Sequence, residues 1–232
     1  LGRVYYARSF GHRRRGRPFV DGYGTASFVD RTISGGGALF DMGIYHIAQI
    51  LHLIGNPAVL RVTGITYQEL DMYEDRRKSG NYSVEEMGLG WVRLEGGVTL
   101  DIEESWAAHH DGQESSKILG SKGGLRLKPL TFFSSLSDMP GTTVFDLEAS
   151  NSRWRSCFPE TVWYDSSQHH WVGALLERVP LLPTAQYALN TALISEGIYL
   201  SGREGREVTA DEVRKRSVST AVDPGTPEKA LK

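Results

Sequence analysis

Apolar residues recur at steps of three and four across 38–54, where Phe40, Ile44, Ile47, Leu51 and Ile54 form one stripe. That period predicts an amphipathic helix, and Gly55-Asn56-Pro57 supplies its stop. Residues 3–10 are rich in β-forming types and predict a strand. Residues 11–34 mix Gly, Pro, Arg and Asp without a period and predict a long arm. Further strands are predicted at 58–67, 84–95, 97–107, 115–120, 124–128, 130–134 and 142–148. Gly96-Gly97 joins two of them as a tight hairpin, and Gly123-Gly124 predicts another turn. In the fourth strand Val98, Leu100, Ile102 and Trp106 alternate with Thr99, Asp101, Glu103 and Ser105, so one face is apolar and one polar. Glu104 interrupts the apolar side. Helices follow at about 168–178 and 184–201, with Pro183 at the second start, and Val208 begins a closing strand. From about residue 214 the chain is polar, holds two prolines and predicts a disordered tail over 214–232.

The order is strand, arm, helix, run of strands, helices, strand. It predicts an α+β domain over 1–213: a mostly antiparallel open sheet with helices on one face, and no Rossmann domain. The bare sheet face then needs cover, for which a second subunit of a homo-oligomer is the usual solution.

Composition narrows the function classes. The chain of 232 residues is 40% hydrophobic and 23% charged, with 28 acidic against 26 basic residues. It is globular, with no global pull toward nucleic acid or a membrane surface. No apolar run reaches the length of a membrane span. The single cysteine, Cys157, excludes an intrachain disulfide and fits a reducing, cytoplasmic setting. Position 1 is Leu, so the chain is expected to be a fragment of something longer.

Candidate chemistry centres on the helix after Gly35-Gly36-Gly37. At 100° per residue, Asp41, Tyr45, Gln49 and His52 share a flank beside the apolar stripe, while His46 falls on the opposite flank, about 140° from Asp41. Asp41 and Tyr45, at i and i+4, can therefore act on one substrate. Oxidising a sugar hydroxyl removes a proton from oxygen while a hydride leaves carbon. A tyrosine near a cation can carry that proton, and a carboxylate can orient the sugar. The same two residues also read as a helix-start acid and a core-edge tyrosine. Gly36 and Gly37 would let a flat cofactor ring approach closely. Arg15, in the basic run 12–17, is a candidate contact for a phosphate or an acidic sugar; nucleic acid is disfavoured because no aromatic platform supports it, and the alternative is a solvated loop. His170 is a candidate pocket wall. Neither His109-His110 nor His169-His170 has metal-ligand spacing, so no metal is expected.

The stretch Gly35-Gly36-Gly37-Ala38-Leu39-Phe40-Asp41-Met42-Gly43-Ile44-Tyr45-His46 resembles the signature of the Gfo/Idh/MocA oxidoreductases, which pair a Rossmann domain with a C-terminal α+β domain. Leu1-Gly2-Arg3-Val4, Leu119-Gly120-Ser121-Lys122-Gly123-Gly124 and Gly197-Ile198-Tyr199-Leu200-Ser201 match the family's course in order. The resemblance implies an NAD- or NADP-dependent oxidoreductase acting on a sugar or cyclic polyol. It aligns Asp41 with the family's substrate-positioning aspartate. Tyr45 stands where the commonest pattern has a catalytic histidine, as in the tyrosine branch that includes glucose–fructose oxidoreductase and dihydrodiol dehydrogenase. His46, one residue on, is then expected beside the substrate. The Gly-x-Gly-x-x-Gly fingerprint and the family's lysine in a Glu-Lys-Pro segment do not occur in this sequence. The chain is therefore expected to supply the substrate side of an enzyme and to be inactive alone. Alternatives are a stand-alone sugar-binding or oligomerisation module, and an NAD-assisted glycoside-cleaving enzyme of the same family.

Overall fold

A computed structural model describes residues 1–218. Among these residues nine strands make one sheet in the order β8-β7-β6-β5-β1-β4-β3-β2-β9. In chain order they are β1 (Val4–His12), β2 (Val59–Tyr67), β3 (Met87–Leu94), β4 (Val98–Ser105), β5 (Lys117–Gly120), β6 (Gly123–Arg126), β7 (Thr131–Leu136), β8 (Met139–Val144) and β9 (Val208–Thr209). Only the central pair β1–β4 is parallel. The remaining pairings are antiparallel, because short turns link most neighbours and a parallel pair needs a long crossover. Here the crossover runs through the arm, the first long helix, β2 and β3. The fold is the α+β open sheet that the pattern predicts.

The helices are α1 (Arg31–Ser34), α2 (Ile44–Leu53, preceded by a π-helical turn Leu39–Gly43), α3 (Glu74–Ser79), α4 (Leu147–Cys157), α5 (Ser167–Leu175), α6 (Thr184–Glu204) and α7 (Ala210–Arg216). The core lies between the sheet and α2, α6 and α7. Ala7, Val62, Val92, Leu100, Ile102 and Ile118 from alternate strand positions meet Ile47, Ile50, Leu51, Ile194, Ile198 and Val213. Gly64 and Gly90 let α6 come close, since a Cβ at either would sit within 3 Å of Ile198. The opposite face carries Ile65, Tyr67, Trp91 and Phe133, each more than a third exposed.

Three expectations are corrected by the structure. The Gly123-Gly124 pair lies inside β6, and the turn falls at Ser121-Lys122. A Cβ on Gly123 would press on the Phe132 ring, so that glycine serves packing. The last helix, α7, is held by a capping box between Thr209 and Glu212 and runs three residues into the expected tail. Residues 219–232 of that tail lie outside the described residues. Finally, the strand expected at 142–148 ends at Val144, and Leu147–Cys157 is a helix. Asp146 accepts from Ala149 N at 3.1 Å and starts α4.

The arm is packed rather than loose. Val20 and Val29 join Ala38, Met42, Tyr82, Val84 and Trp106 in a second small core. Arg17, the last arginine of the basic run, is wholly buried. It pairs with Asp21 at 2.9 Å and Glu86 at 3.0 Å, and donates to the carbonyls of Leu70 and Asp71.

Candidate functional site

The entry to α2 sets the site. The π turn inserts a wider step before the α-helix, a feature often found at functional positions. It rotates the buried row onto Leu39, Met42, Gly43, Ile47, Ile50 and Leu51. Phe40 and Ile44, expected in the buried stripe, are only half-buried and line clefts instead.

Glu85 fastens this turn. Its buried carboxylate accepts from Gly37 N at 2.9 Å, Leu39 N at 3.1 Å and the Tyr199 hydroxyl at 2.7 Å. Burial pushes the Glu85 carboxyl up from its ordinary range, and the donated bonds, that of Tyr199 first, draw it back. A Cβ on Gly36 would collide with Tyr199 and Phe40, and one on Gly37 with the Glu85 carbonyl. Both glycines are therefore required by the chain's own packing. Gly36 also lines a cleft, whereas the Gly37 amide is already taken by Glu85.

Asp41 and Tyr45 open onto one cleft of about 320 Å³, together with Phe28, Gly36, Phe40 and Ile44. Asp41 is half-buried, and its Oδ2 accepts from the Trp106 indole N–H at 2.8 Å. The Arg13 guanidinium stands 4.0 Å from the same oxygen. Trp106, wholly buried at the end of β4, thus fixes one carboxylate oxygen of Asp41. Tyr45 projects with 70% of its surface exposed.

A second cleft of about 710 Å³ lies on the other side of Tyr45, lined by Arg13, Tyr45, His46, Gln49, Gln113 and Lys128 among others. His46 Nδ1 is 2.8 Å from Glu104 Oε2. Glu104 is wholly buried and also receives Ser9 Oγ at 2.6 Å. Burial pushes its carboxyl up, countered first by the His46 bond. The helix wheel thus separates Asp41 from His46 as expected, with Tyr45 between them.

The other candidates lie elsewhere. Arg15 is exposed on the arm and lines neither cleft. His170 packs beside Tyr164 in the excursion that holds α4 and α5, and accepts from Leu182 N at 3.0 Å. Among the described residues no three His, Cys, Asp or Glu side chains gather as a metal site. Nor is any described helix long and apolar enough to cross a membrane. Glu85 escaped the sequence reading. Glu104 was marked there only as an interruption of the apolar side of β4, with no role attached.

Residues 1–126 match the GFO/IDH/MocA C-terminal domain. The chain belongs to this family. Over 136 residues it is 29% identical to the D-glucoside 3-dehydrogenase of Escherichia coli (strain K12), covering 56% of this chain and 37% of that enzyme. The chain thus matches little more than a third of that relative's length. Among solved structures, levoglucosan dehydrogenase in complex with NADH and levoglucosan aligns with a TM-score of 0.62 at 18% identity, covering 90% of this chain and 59% of that one. GenD2 from gentamicin A biosynthesis, in complex with NAD, aligns with a TM-score of 0.59 at 22% identity, covering 90% and 56%. At these identities the structural likeness establishes the shared fold.

Proposed function

We propose that this chain is the substrate-side domain of an NAD- or NADP-dependent oxidoreductase that acts on a hydroxyl of a sugar or cyclic polyol. The observation that carries the reading is the shared cleft of Asp41 and Tyr45, with Asp41 oriented by the buried Trp106. The Asp41 oxygen not used by Trp106 accepts hydroxyls of the substrate. Tyr45 acts as the phenolate, which takes the proton of the hydroxyl being oxidised and becomes the phenol, while the hydride leaves carbon for the coenzyme; in the reverse direction the phenol returns the proton. Phe28, Phe40 and Ile44 give the cleft an apolar wall for a sugar ring face and limit the access of water.

A nicotinamide, when bound, supplies the hydride acceptor. The residues present fit only the edge of such a group: Gly36 lines the smaller cleft, but no glycine-rich strand–helix turn for the pyrophosphate occurs among the described residues. Most of that site is assigned to sequence outside this chain, so the chain alone is inactive. The exposed Ile65, Tyr67, Trp91 and Phe133 on the bare sheet face suit contact with a second copy in a homo-oligomer.

The reading is tested by assaying the complete protein for coenzyme reduction with glucosides, free hexoses and inositols. At least one is expected to give saturable turnover with NAD or NADP. No coenzyme reduction across the whole panel would sink the reading.

A further inference from the structure

Glu104 stands where the alternation of β4 predicts an apolar side chain, and it is wholly buried. An isolated buried carboxylate is costly unless its oxygens find partners. Here the two oxygens are met separately, Oε1 by Ser9 Oγ at 2.6 Å and Oε2 by His46 Nδ1 at 2.8 Å. Glycines clear the space around the pair. A Cβ on Gly11 would strike the His46 ring and lie 2.6 Å from Glu104 Oε2, and one on Gly43 would lie 3.3 Å from Glu104 Cγ. An apolar residue at 104 would fill the same volume without these demands. What the carboxylate adds is a fixed imidazole. With Nδ1 held from beneath, the ring of His46, 27% exposed, borders the larger cleft. That cleft lies in the size range of small-molecule sites, has polar groups on its rim, and is separated from the Asp41 cleft by Tyr45.

We propose that Glu104 is a positioning residue that holds His46 in the Nδ1–H tautomer. His46 Nε2 then accepts a hydrogen bond from a hydroxyl of a second substrate unit in the larger cleft. The ligand is thus a glycoside of at least two polar units that straddles Tyr45. This rests on the Asp41–Tyr45 reading for the first unit. An imidazole whose Nδ1–H is spent on a carboxylate presents an acceptor at Nε2. Such an acceptor distinguishes a hydroxyl-bearing second unit from a bare monosaccharide.

The test is ¹⁵N imidazole NMR on the 232-residue chain, with cellobiose and D-glucose as probes. His46 is expected in the Nδ1–H form. Cellobiose is expected to shift Nε2 while D-glucose leaves it unmoved, and His46→Ala should weaken cellobiose binding about tenfold, the usual weight of one such bond. Glu104→Leu should lose the tautomer preference, and Glu104→Gln, which keeps an acceptor toward Nδ1, should restore it. The unsubstituted chain decides the matter even if Glu104→Leu fails to fold. An Nε2–H tautomer there, or equal or absent responses to the two sugars, overturns the proposal. Because none of these readouts needs turnover, failure here with a Tyr45→Phe turnover defect intact condemns this inference alone, and the converse condemns the Tyr45 assignment.

Discussion

Tyr45→Phe is expected to lower kcat of the complete enzyme by about two to four orders of magnitude, the usual contribution of a positioned acid–base group, while leaving the fold untouched. Both halves follow from geometry. The side chain is 70% exposed, so removing its oxygen opens no cavity and strands no buried partner. Its Oη makes no hydrogen bond to any other described residue. The phenyl ring that remains keeps the wall between the two clefts. A loss of kcat with little change in KM and an unchanged melting temperature marks a group that works in the transition state. Undiminished turnover would remove Tyr45 from the chemistry and leave it as a wall.

The largest structural effect is expected from Arg17→Leu. Its guanidinium is wholly buried and joins three segments: Asp21 in the arm, Glu86 ahead of β3, and the carbonyls of Leu70 and Asp71 after β2. Replacing both partners of a buried ion pair by apolar groups can be harmless. Removing one leaves the other carboxylates buried and unpaired, at a cost of about 3–5 kcal/mol. For a chain of this size that corresponds to a fall in melting temperature of roughly 10 °C. The Asp41 cleft should weaken as well, because the arm carries Phe28 of its wall and packs Val20 and Val29 under Trp106. A melting temperature within about 2 °C of the unsubstituted chain would show that the arm is held by its apolar contacts alone.

Elements that present one face to a large core were legible from the sequence. The strands β2, β3 and β4 and the helices α2 and α6 each bury a regular row, and their periods show it. Short polar elements were not. Helix α3 has no buried residue and is tied to the arm by Arg76, which donates to the Phe19 carbonyl at 3.1 Å, and α4 likewise buries nothing. Neither has an apolar period to read. The separation of Asp41 from His46 followed from helix geometry, but the π turn did not. It depends on Glu85, far along the chain, gathering the amides of Gly37 and Leu39. Arg17 shows the same limit: inside a run of basic residues it looks like its solvated neighbours, and only the approach of Glu86 from 69 positions away makes it a core residue. Glu104 was visible as an interruption of an apolar row. Its meaning required His46 and Ser9 to be brought beside it.

The central claim is that the flank of α2 bearing Asp41 and Tyr45 holds the hydroxyl being oxidised. A structure of the complete protein with coenzyme and a sugar it turns over measures this directly. The account predicts one sugar hydroxyl about 2.6–3.2 Å from Tyr45 Oη, and a second sugar hydroxyl in hydrogen-bonding contact with the Asp41 oxygen that Trp106 leaves free. A sugar bound out of reach of both side chains would contradict it.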